Sequence, residues 1–251
     1  MQHAEISFCD DSQLSYDKFA TRFHDNQGLK FDDSYRLGHL PLVAPDHPDI
    51  ISTKPGTSYY NGVHEIVYSI AIPIAENELL SSRAFKRLVD EIKNTAFAAK
   101  LSWDTFEQRK SKLHATIYGL VSKGQAPNLK PEIYQALRSI GPVSVNIRGL
   151  FSGNINIGRL YLKLYPELRD GRNMCHVLQK ALGTPLTDLY VIGLFNFVEE
   201  LNVSEARELN SFLRRWQDTD IIQLQLDKLW LLESKDHLVL DGAIVSSIPL
   251  V

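Results

Sequence analysis

Hydrophobic and polar residues alternate in a regular order from about residue 61 to the C-terminus. Segments with a period of two predict strands, and apolar residues that recur every three to four positions predict helices. The predicted strands cover residues 66–74, 112–121, 143–150, 159–165, 189–198, 221–233 and 238–248. The predicted helices begin at or beside Ser82, Pro131, Met174 and Asn202. Since strands and helices interleave and two pairs of neighbouring strands are hairpin-like, the order predicts an α+β fold rather than a doubly wound parallel sheet.

Residues 1–60 have a different character. They carry nine acidic and five basic side chains, a net charge of −4, and their hydrophobic periodicity is weak. Proline and glycine divide the segment into turns and extended pieces. We interpret it as an irregular acidic extension laid over a regular domain of residues 61–251. The alternative is a mobile arm. The aromatic side chains of the segment argue against this alternative, because they favour burial.

Composition excludes several classes of protein. The chain has 251 residues, of which 44% are hydrophobic and 23% charged, with a net charge of −3. This is an ordinary globular composition and not that of a disordered chain. No apolar run approaches the roughly 18 residues of a membrane helix, and bulk charge does not favour coating of nucleic acid. The N-terminus has no signal-peptide pattern, and two cysteines form no disulfide framework, so we expect a cytoplasmic protein without membrane partners.

Candidate chemistry lies in the predicted strand that contains Lys112-Leu113-His114-Ala115-Thr116-Ile117-Tyr118. Alternation predicts that His114, Thr116 and Tyr118 share one face while the apolar residues between them point to the core. An imidazole moves a proton near neutral pH and a hydroxyl donates to a phosphate oxygen, so the pair suits a phosphate ester. The alternative is that His114 is a surface or hydrogen-bonded histidine without a catalytic role.

The two following strands extend this face in the same way. Alternation predicts that Arg148, Tyr161 and Lys163 point away from the core, on the side of His114. Cations and aromatic rings on a concave polar sheet fit a nucleotide or a phosphate ester. The competing interpretation is that any half-exposed antiparallel sheet is polar outside.

The segments Lys112–Val121, Pro142–Pro166 and Leu189–Ile248 resemble, in pattern and order, the 2H phosphoesterase superfamily of LigT-like proteins, which includes 2′-5′ RNA ligases and cyclic phosphodiesterases. The resemblance spans roughly residues 63–251. It implies a two-lobed pseudosymmetric fold with mixed or antiparallel sheets around a central groove. It also implies two His-x-Thr/Ser motifs, whose histidines act as general acid and base without a metal or cofactor. His114 and Thr116 match the first motif.

The second motif departs from this pattern. Its expected position holds Tyr190 and Ile192 instead of histidine and threonine. A phenol has a pKa near 10 and is no ready base, and isoleucine has no hydroxyl. Three explanations stay open. Another histidine completes the site, Tyr190 acts with His114, or the groove binds a phosphate ligand without turnover. The candidates for the first explanation are His24, His39, His64 and His176.

The sequence therefore predicts a phosphodiesterase-like protein that acts on a nucleotide or RNA end carrying a 2′,3′-cyclic phosphate or a 2′-5′ linkage. The predicted catalytic residues are His114, Thr116 and Tyr190. The predicted ligand contacts are Tyr118, Arg148, Tyr161 and Lys163, with no metal and no cofactor. The alternative is an inactive relative that binds a nucleotide, RNA or a protein. A third interpretation assigns partner binding to residues 1–60 and predicts that their deletion leaves the groove intact.

Overall fold

The computed structural model describes residues 6–251. Its strands are β1 (Ser7–Phe8), β2 (Val63–Pro73), β3 (His114–Lys123), β4 (Val143–Ser152), β5 (Arg159–Arg169), β6 (Arg172–Asn173), β7 (Val191–Asn196), β8 (Asp220–Leu226), β9 (Lys228–Asp236) and β10 (Gly242–Pro249). Its α-helices are α1 (Tyr16–Phe19), α2 (Asp33–Gly38), α3 (Leu40–Val43), α4 (Glu76–Ser81), α5 (Arg83–Lys93), α6 (Trp103–Arg109), α7 (Pro131–Ile140), α8 (Met174–Leu182) and α9 (Val203–Trp216). Helices and antiparallel strands are mixed along the chain, which confirms the α+β class.

The helix ends follow the capping signals in the sequence. The Asn202 side chain accepts from the backbone N–H of Glu205, and the Glu205 carboxylate accepts in return from the N–H of Asn202. This reciprocal pair satisfies two backbone donors at the start of α9. Pro131 opens α7, and Gly183 ends α8 in the left-handed conformation with a φ of 68°. Both positions are the ones that suit these two residues best.

Eight of the strands follow one path in the order β10-β9-β2-β3-β7-β5-β4-β8, and all of these pairs are antiparallel. The prediction of a single strand over residues 221–233 is wrong. The chain instead turns at Asp227, so that β8 pairs with β4 at one end of the sheet and β9 pairs with β2 in the other half. Alternation alone could not locate this break because both pieces continue a strand-like pattern.

The alternation predicted for β3 is confirmed from His114 to Ile117. Ala115 and Ile117 are buried in the core, whereas Thr116 is exposed and His114 is partly exposed on the other face. Leu113 precedes the strand and is also buried. The strand therefore turns its apolar side chains toward the hydrophobic core and its polar ones away from it.

The segment before β2 packs against the sheet. Tyr16, Tyr35 and Leu40 are buried in the common hydrophobic core. The Tyr16 hydroxyl donates toward the carbonyls of Leu164 and Tyr190 and accepts from the N–H of Leu164, so it joins β5 to the start of β7. Because of this packing, the residues from Ile6 to about Tyr60 are part of the folded structure. The domain boundary at residues 60 and 61 stays a prediction.

Within residues 6–251, no helix has both the length and the apolar character that crossing a membrane requires.

Candidate functional site

A cleft of about 840 Å³ lies over the exposed face of β3. His114 and Thr116 line it from β3, and His237 lines it from the loop that follows β9. The loop of residues 56–59 and the start of β2 complete its walls. This volume falls in the range of small-molecule sites and admits a nucleotide.

His114 has a defined protonation pattern. Its Nδ1 lies 2.7 Å from the backbone carbonyl oxygen of Lys112, which can only accept, so Nδ1 carries the proton. Burial lowers the pKa of His114 to about 4, and the positive charges of Arg109 and Arg159 contribute to this shift. At neutral pH the ring is therefore neutral, with an unprotonated Nε2. The free lone pair on Nε2 allows the ring to accept a proton, and the lowered pKa makes it a weaker base than an ordinary histidine.

Thr116 lies two residues along the same strand and is exposed to the cleft, as the alternation predicted. Tyr118 does not follow it there. The pairing of β2 with β3 shifts at this point, since Ile70 pairs with Tyr118 and Tyr68 pairs with Ser122. Tyr118 packs against the hydrophobic core and lies outside the cleft lining. The structure therefore does not bring Tyr118 to this cleft.

His237 is the residue that sequence reasoning missed. It follows Asp236, whose carboxylate accepts from the backbone N–H groups of Leu238, Leu240 and Asp241 at 2.7, 3.1 and 2.9 Å. Inside this turn Val239 has a φ of +56°, a conformation that a β-branched residue rarely adopts. Three hydrogen bonds to one carboxylate hold the turn in this shape. They fix the loop that presents His237 to the cleft.

The segment before β3 anchors the same loop. The Arg109 guanidinium donates to the carbonyl of Leu238 at 3.1 Å, and the Lys112 ammonium donates to the carbonyls of Leu240 and Gly242 at 3.0 and 3.1 Å. Lys112 also provides the carbonyl that accepts from His114. One short stretch of chain therefore positions both imidazoles.

The His237 ring lies within a column of aromatic rings. His39 stacks on one side with centroids 5.5 Å apart, and Tyr59 stacks at 5.7 Å with its hydroxyl hydrogen-bonded to Nε2 of His237. Although the residue is exposed overall, desolvation of its ring lowers the pKa of His237 to about 4. The charges of His64, Arg159 and Lys54 lower this pKa further, and Asp236 opposes them.

Tyr190 does not lie at the cleft. Ala115 of β3 pairs with Ile192 of β7, so these two side chains point to the same side of the sheet, which is the core side. Tyr190 lies two residues before Ile192 and is fully buried, with its hydroxyl bonded to the carbonyl of Thr187. The expectation that Tyr190 and Ile192 occupy a site opposite His114 is therefore wrong.

The expected open face of β4 and β5 is also wrong, because the N-terminal segment covers it. Lys163 is 5% exposed, its ammonium lies 3.5 Å from Asp11, and it lies over the ring of Tyr16. Tyr161 is 7% exposed and packs against Phe151.

Arg148 is partly exposed and pairs with Asp218 at 3.2 Å. None of the three predicted contacts Arg148, Tyr161 and Lys163 lines the cleft. Alternation predicts which face of a strand a cation lies on, but it does not show whether solvent or another part of the chain covers that face.

Of the four histidines proposed to complete the site, only His64 lines the cleft, with its ring 5.2 Å from that of His237. His39 lies buried behind His237. His176 binds Asp188 and Thr187 outside the cleft, and His24 is exposed elsewhere. Within residues 6–251, no group of three or more His, Cys, Asp or Glu side chains is arranged to hold a metal ion.

Residues 56–59 line the cleft, so the N-terminal segment belongs to the site. This contradicts the interpretation in which deletion of residues 1–60 leaves the groove intact. A signal for His237 was present in the sequence, since Ser234–His237 is a turn after an alternating strand. What the sequence lacked was the strand order that brings β9 beside β2 and therefore near β3.

No protein-family model matches the chain, and no curated protein is similar enough in sequence to count as a match. Among solved structures, the chain is similar to a conserved protein of unknown function from Agrobacterium tumefaciens. The two are 13% identical over 84% of this chain and 97% of that chain, with a TM-score of 0.43. A likeness of this degree carries no argument about fold or function.

Proposed function

We propose that the protein is a phosphodiesterase-like protein that acts on a nucleotide or RNA end carrying a 2′,3′-cyclic phosphate or a 2′-5′ linkage. The observation that carries this proposal is the meeting of His114, Thr116 and His237 in one cleft. The unprotonated Nε2 of His114 accepts the proton of the attacking hydroxyl or water. Thr116 donates to a phosphate oxygen. His237 supplies the second imidazole of the site, in the place that the sequence suggested for Tyr190.

The charge around the cleft supports an anionic ligand. Arg109 and Arg159 are 2% and 8% exposed, and their charges reach His114. Arg109 donates to the carbonyl oxygens of Leu238 and Gly193, and Arg159 bonds to the His39 ring and to the carbonyl oxygen of His237. Among the described residues, neither guanidinium bonds to a carboxylate. Both therefore bring positive charge close to His114, while the carboxylates of Glu65 and Asp236 line other parts of the cleft. Positive charge beside the proposed base favours a phosphate group there.

The sheet order supports a two-lobed LigT-like fold as the finer description. The path divides between β3 and β7 into two halves of four strands. Around the paired Ala115 and Ile192, the counterparts of His114 and Thr116 in the second half are Val191 and Gly193. A Cβ atom added to Gly193 would lie 1.8 Å from Nη2 of Arg159, so a guanidinium covers this position. We infer that the loop after β9 replaces the second motif.

A cytoplasmic location belongs to the same proposal. Cys9 and Cys175 are free and buried, as expected for a protein of a reducing compartment.

A substrate screen tests the proposal. The full chain is incubated with nucleoside 2′,3′-cyclic phosphates and with 2′-5′-linked dinucleotides, and products are separated by chromatography. The same ligands are tested for an increase in melting temperature. Product supports the enzyme, and stabilisation without product supports the alternative of an inactive binding protein. Neither product nor stabilisation with any of these compounds contradicts the proposal.

A further inference from the structure

Tyr59 lines the cleft beside His237. Its hydroxyl and Nε2 of His237 share a hydrogen bond, and the two rings stack with 26° between their planes. The same tyrosine packs on the His64 ring at 5.2 Å between centroids and lines the cleft. The atom through which His237 would exchange a proton is therefore engaged by the Tyr59 hydroxyl.

Of the three imidazoles that line the cleft, His114 and His237 are neutral in the free protein at neutral pH, and the reaction needs a proton donor. Cleavage of a phosphate ester gives an alkoxide, which leaves readily only when a proton reaches it. A neutral imidazole donates poorly, whereas a phenol retains its proton at neutral pH and is an effective hydrogen-bond donor. Desolvation raises the pKa of Tyr59 above its ordinary value, which keeps this proton in place. Among the phenols of the described residues, Tyr59 is the one that lines the cleft.

We propose that Tyr59 is a catalytic residue that donates its phenolic proton to the leaving oxygen of the phosphate ester, with His237 resupplying that proton through the hydrogen bond between them. This inference rests on the proposed function. It gives to Tyr59 the place beside His114 in the reaction that the sequence suggested for Tyr190.

The proton transfers balance in one cycle. Bound phosphate carries negative charge, which favours the protonated form of His237, so its Nε2–H donates to the Tyr59 oxygen. Water attacks phosphorus and its proton passes to Nε2 of His114, while the bond from phosphorus to the leaving oxygen breaks. The leaving oxygen takes the Tyr59 proton, and Tyr59 takes the His237 proton. The cycle ends with His114 protonated and His237 neutral, and exchange with solvent resets both.

The substrate pair for the test differs only in the leaving group. One compound is a nucleoside 4-nitrophenyl phosphodiester, whose leaving group departs without a proton. The other is the methyl phosphodiester of the same nucleoside, whose methoxide must be protonated. The variant is Tyr59→Phe, which keeps the ring. The matched control is Tyr60→Phe, since Tyr60 is the adjacent tyrosine, is 66% exposed and lies outside the cleft.

We expect Tyr59→Phe to lower kcat/KM for the methyl ester by about 100-fold or more, the usual contribution of general acid catalysis. Its kcat/KM for the nitrophenyl ester should change by less than about threefold, which also shows that the variant is folded. Tyr60→Phe should match the wild type on both esters. An equal loss on both esters, no loss on either, or a faster variant would overturn the assignment of Tyr59.

A separate variant distinguishes a failure of the proposed function from a failure of the assignment of Tyr59. His114→Ala removes the base and should lower the rates of both esters. If His114→Ala retains the wild-type rates, or if the wild type cleaves neither these esters nor the 2′,3′-cyclic phosphates and 2′-5′-linked dinucleotides of the substrate screen, the proposed function is wrong and the role of Tyr59 with it. If His114→Ala loses both activities while Tyr59→Phe loses neither, only the assignment of Tyr59 is wrong.

Discussion

His39 and His237 lie ring against ring, with centroids 5.5 Å apart and planes 2° apart. On its other side His39 stacks on Tyr35 at 5.3 Å, and its Nε2 lies 3.1 Å from Nη1 of Arg159. The column of rings Tyr35, His39, His237 and Tyr59 therefore runs from the core to the cleft. Three of its four rings come from the segment before β2. This segment thus orients an imidazole that belongs to the last hairpin of the chain.

Replacing His39 by alanine should destabilise the fold. The side chain is 2% exposed, so the change leaves a cavity and removes the ring behind His237. We expect a loss of about 2–4 kcal/mol in the free energy of unfolding. Urea denaturation of His39→Ala measures it, with His24→Ala, an exposed histidine, as the control. Equal midpoints for His39→Ala and the wild type would show that the column contributes no stability.

Glycine at position 193 makes room for Arg159. A Cβ atom there would lie 1.8 Å from Nη2 and 2.3 Å from Cζ of the guanidinium. Gly193→Ala should therefore displace Arg159 and cost about 1–3 kcal/mol of stability, as overpacked sites do. Gly119→Ala is the matched control, because its nearest neighbour would be 3.9 Å away. Thermal melts measure both variants, and Gly119→Ala should melt like the wild type. A Gly193→Ala variant that also melts like the wild type would contradict the close packing of Arg159 on β7.

The histidines make stability depend on pH. The pKa of His114 is about 4 in the folded chain, below the value near 6.5 of an unfolded chain. Between these two values the unfolded state binds more protons, so stability rises with pH across this window and is independent of this group above it. The pKa values of His39 and His237 are also lowered, so their effects have the same sign.

Urea denaturation between pH 4.5 and 7.5 measures this dependence. Because carboxylates titrate in the same range, the informative quantity is the difference between the wild type and His114→Gln. We expect the wild type to lose up to about 1.4 kcal/mol per pH unit more than the variant as the pH falls below 6. Parallel curves for the two proteins would show that His114 titrates alike in the folded and unfolded states.

Local signals in the sequence were sufficient for part of the fold. The alternation around Ala115 and Ile117 identified the buried face of β3 because one side of that strand meets the core and the other meets the cleft. The capping residues Asn202 and Gly183 marked helix ends because they act through backbone groups only a few residues away. Such features depend on neighbours in the chain and not on tertiary contacts.

The remaining features depend on contacts between distant segments. Lys163 looks outward by alternation, but Asp11 and Tyr16 cover it from a segment without a clear pattern of its own. Tyr190 has the right position in the sequence for a second motif, but the register of β7 against β3 turns it inward. His237 reaches the cleft because β9 lies beside β2, and the order of strands in a sheet is not encoded in their alternation.

The kcat/KM of His114→Ala for a nucleoside 2′,3′-cyclic phosphate decides whether His114 acts as the base on a phosphate ester bound in the cleft. His24→Ala serves as the control, and the melting temperature of each variant reports its folding. We expect His114→Ala to remain folded while its kcat/KM falls by about 100-fold or more, and His24→Ala to equal the wild type. A folded His114→Ala with the wild-type kcat/KM would contradict this role of His114.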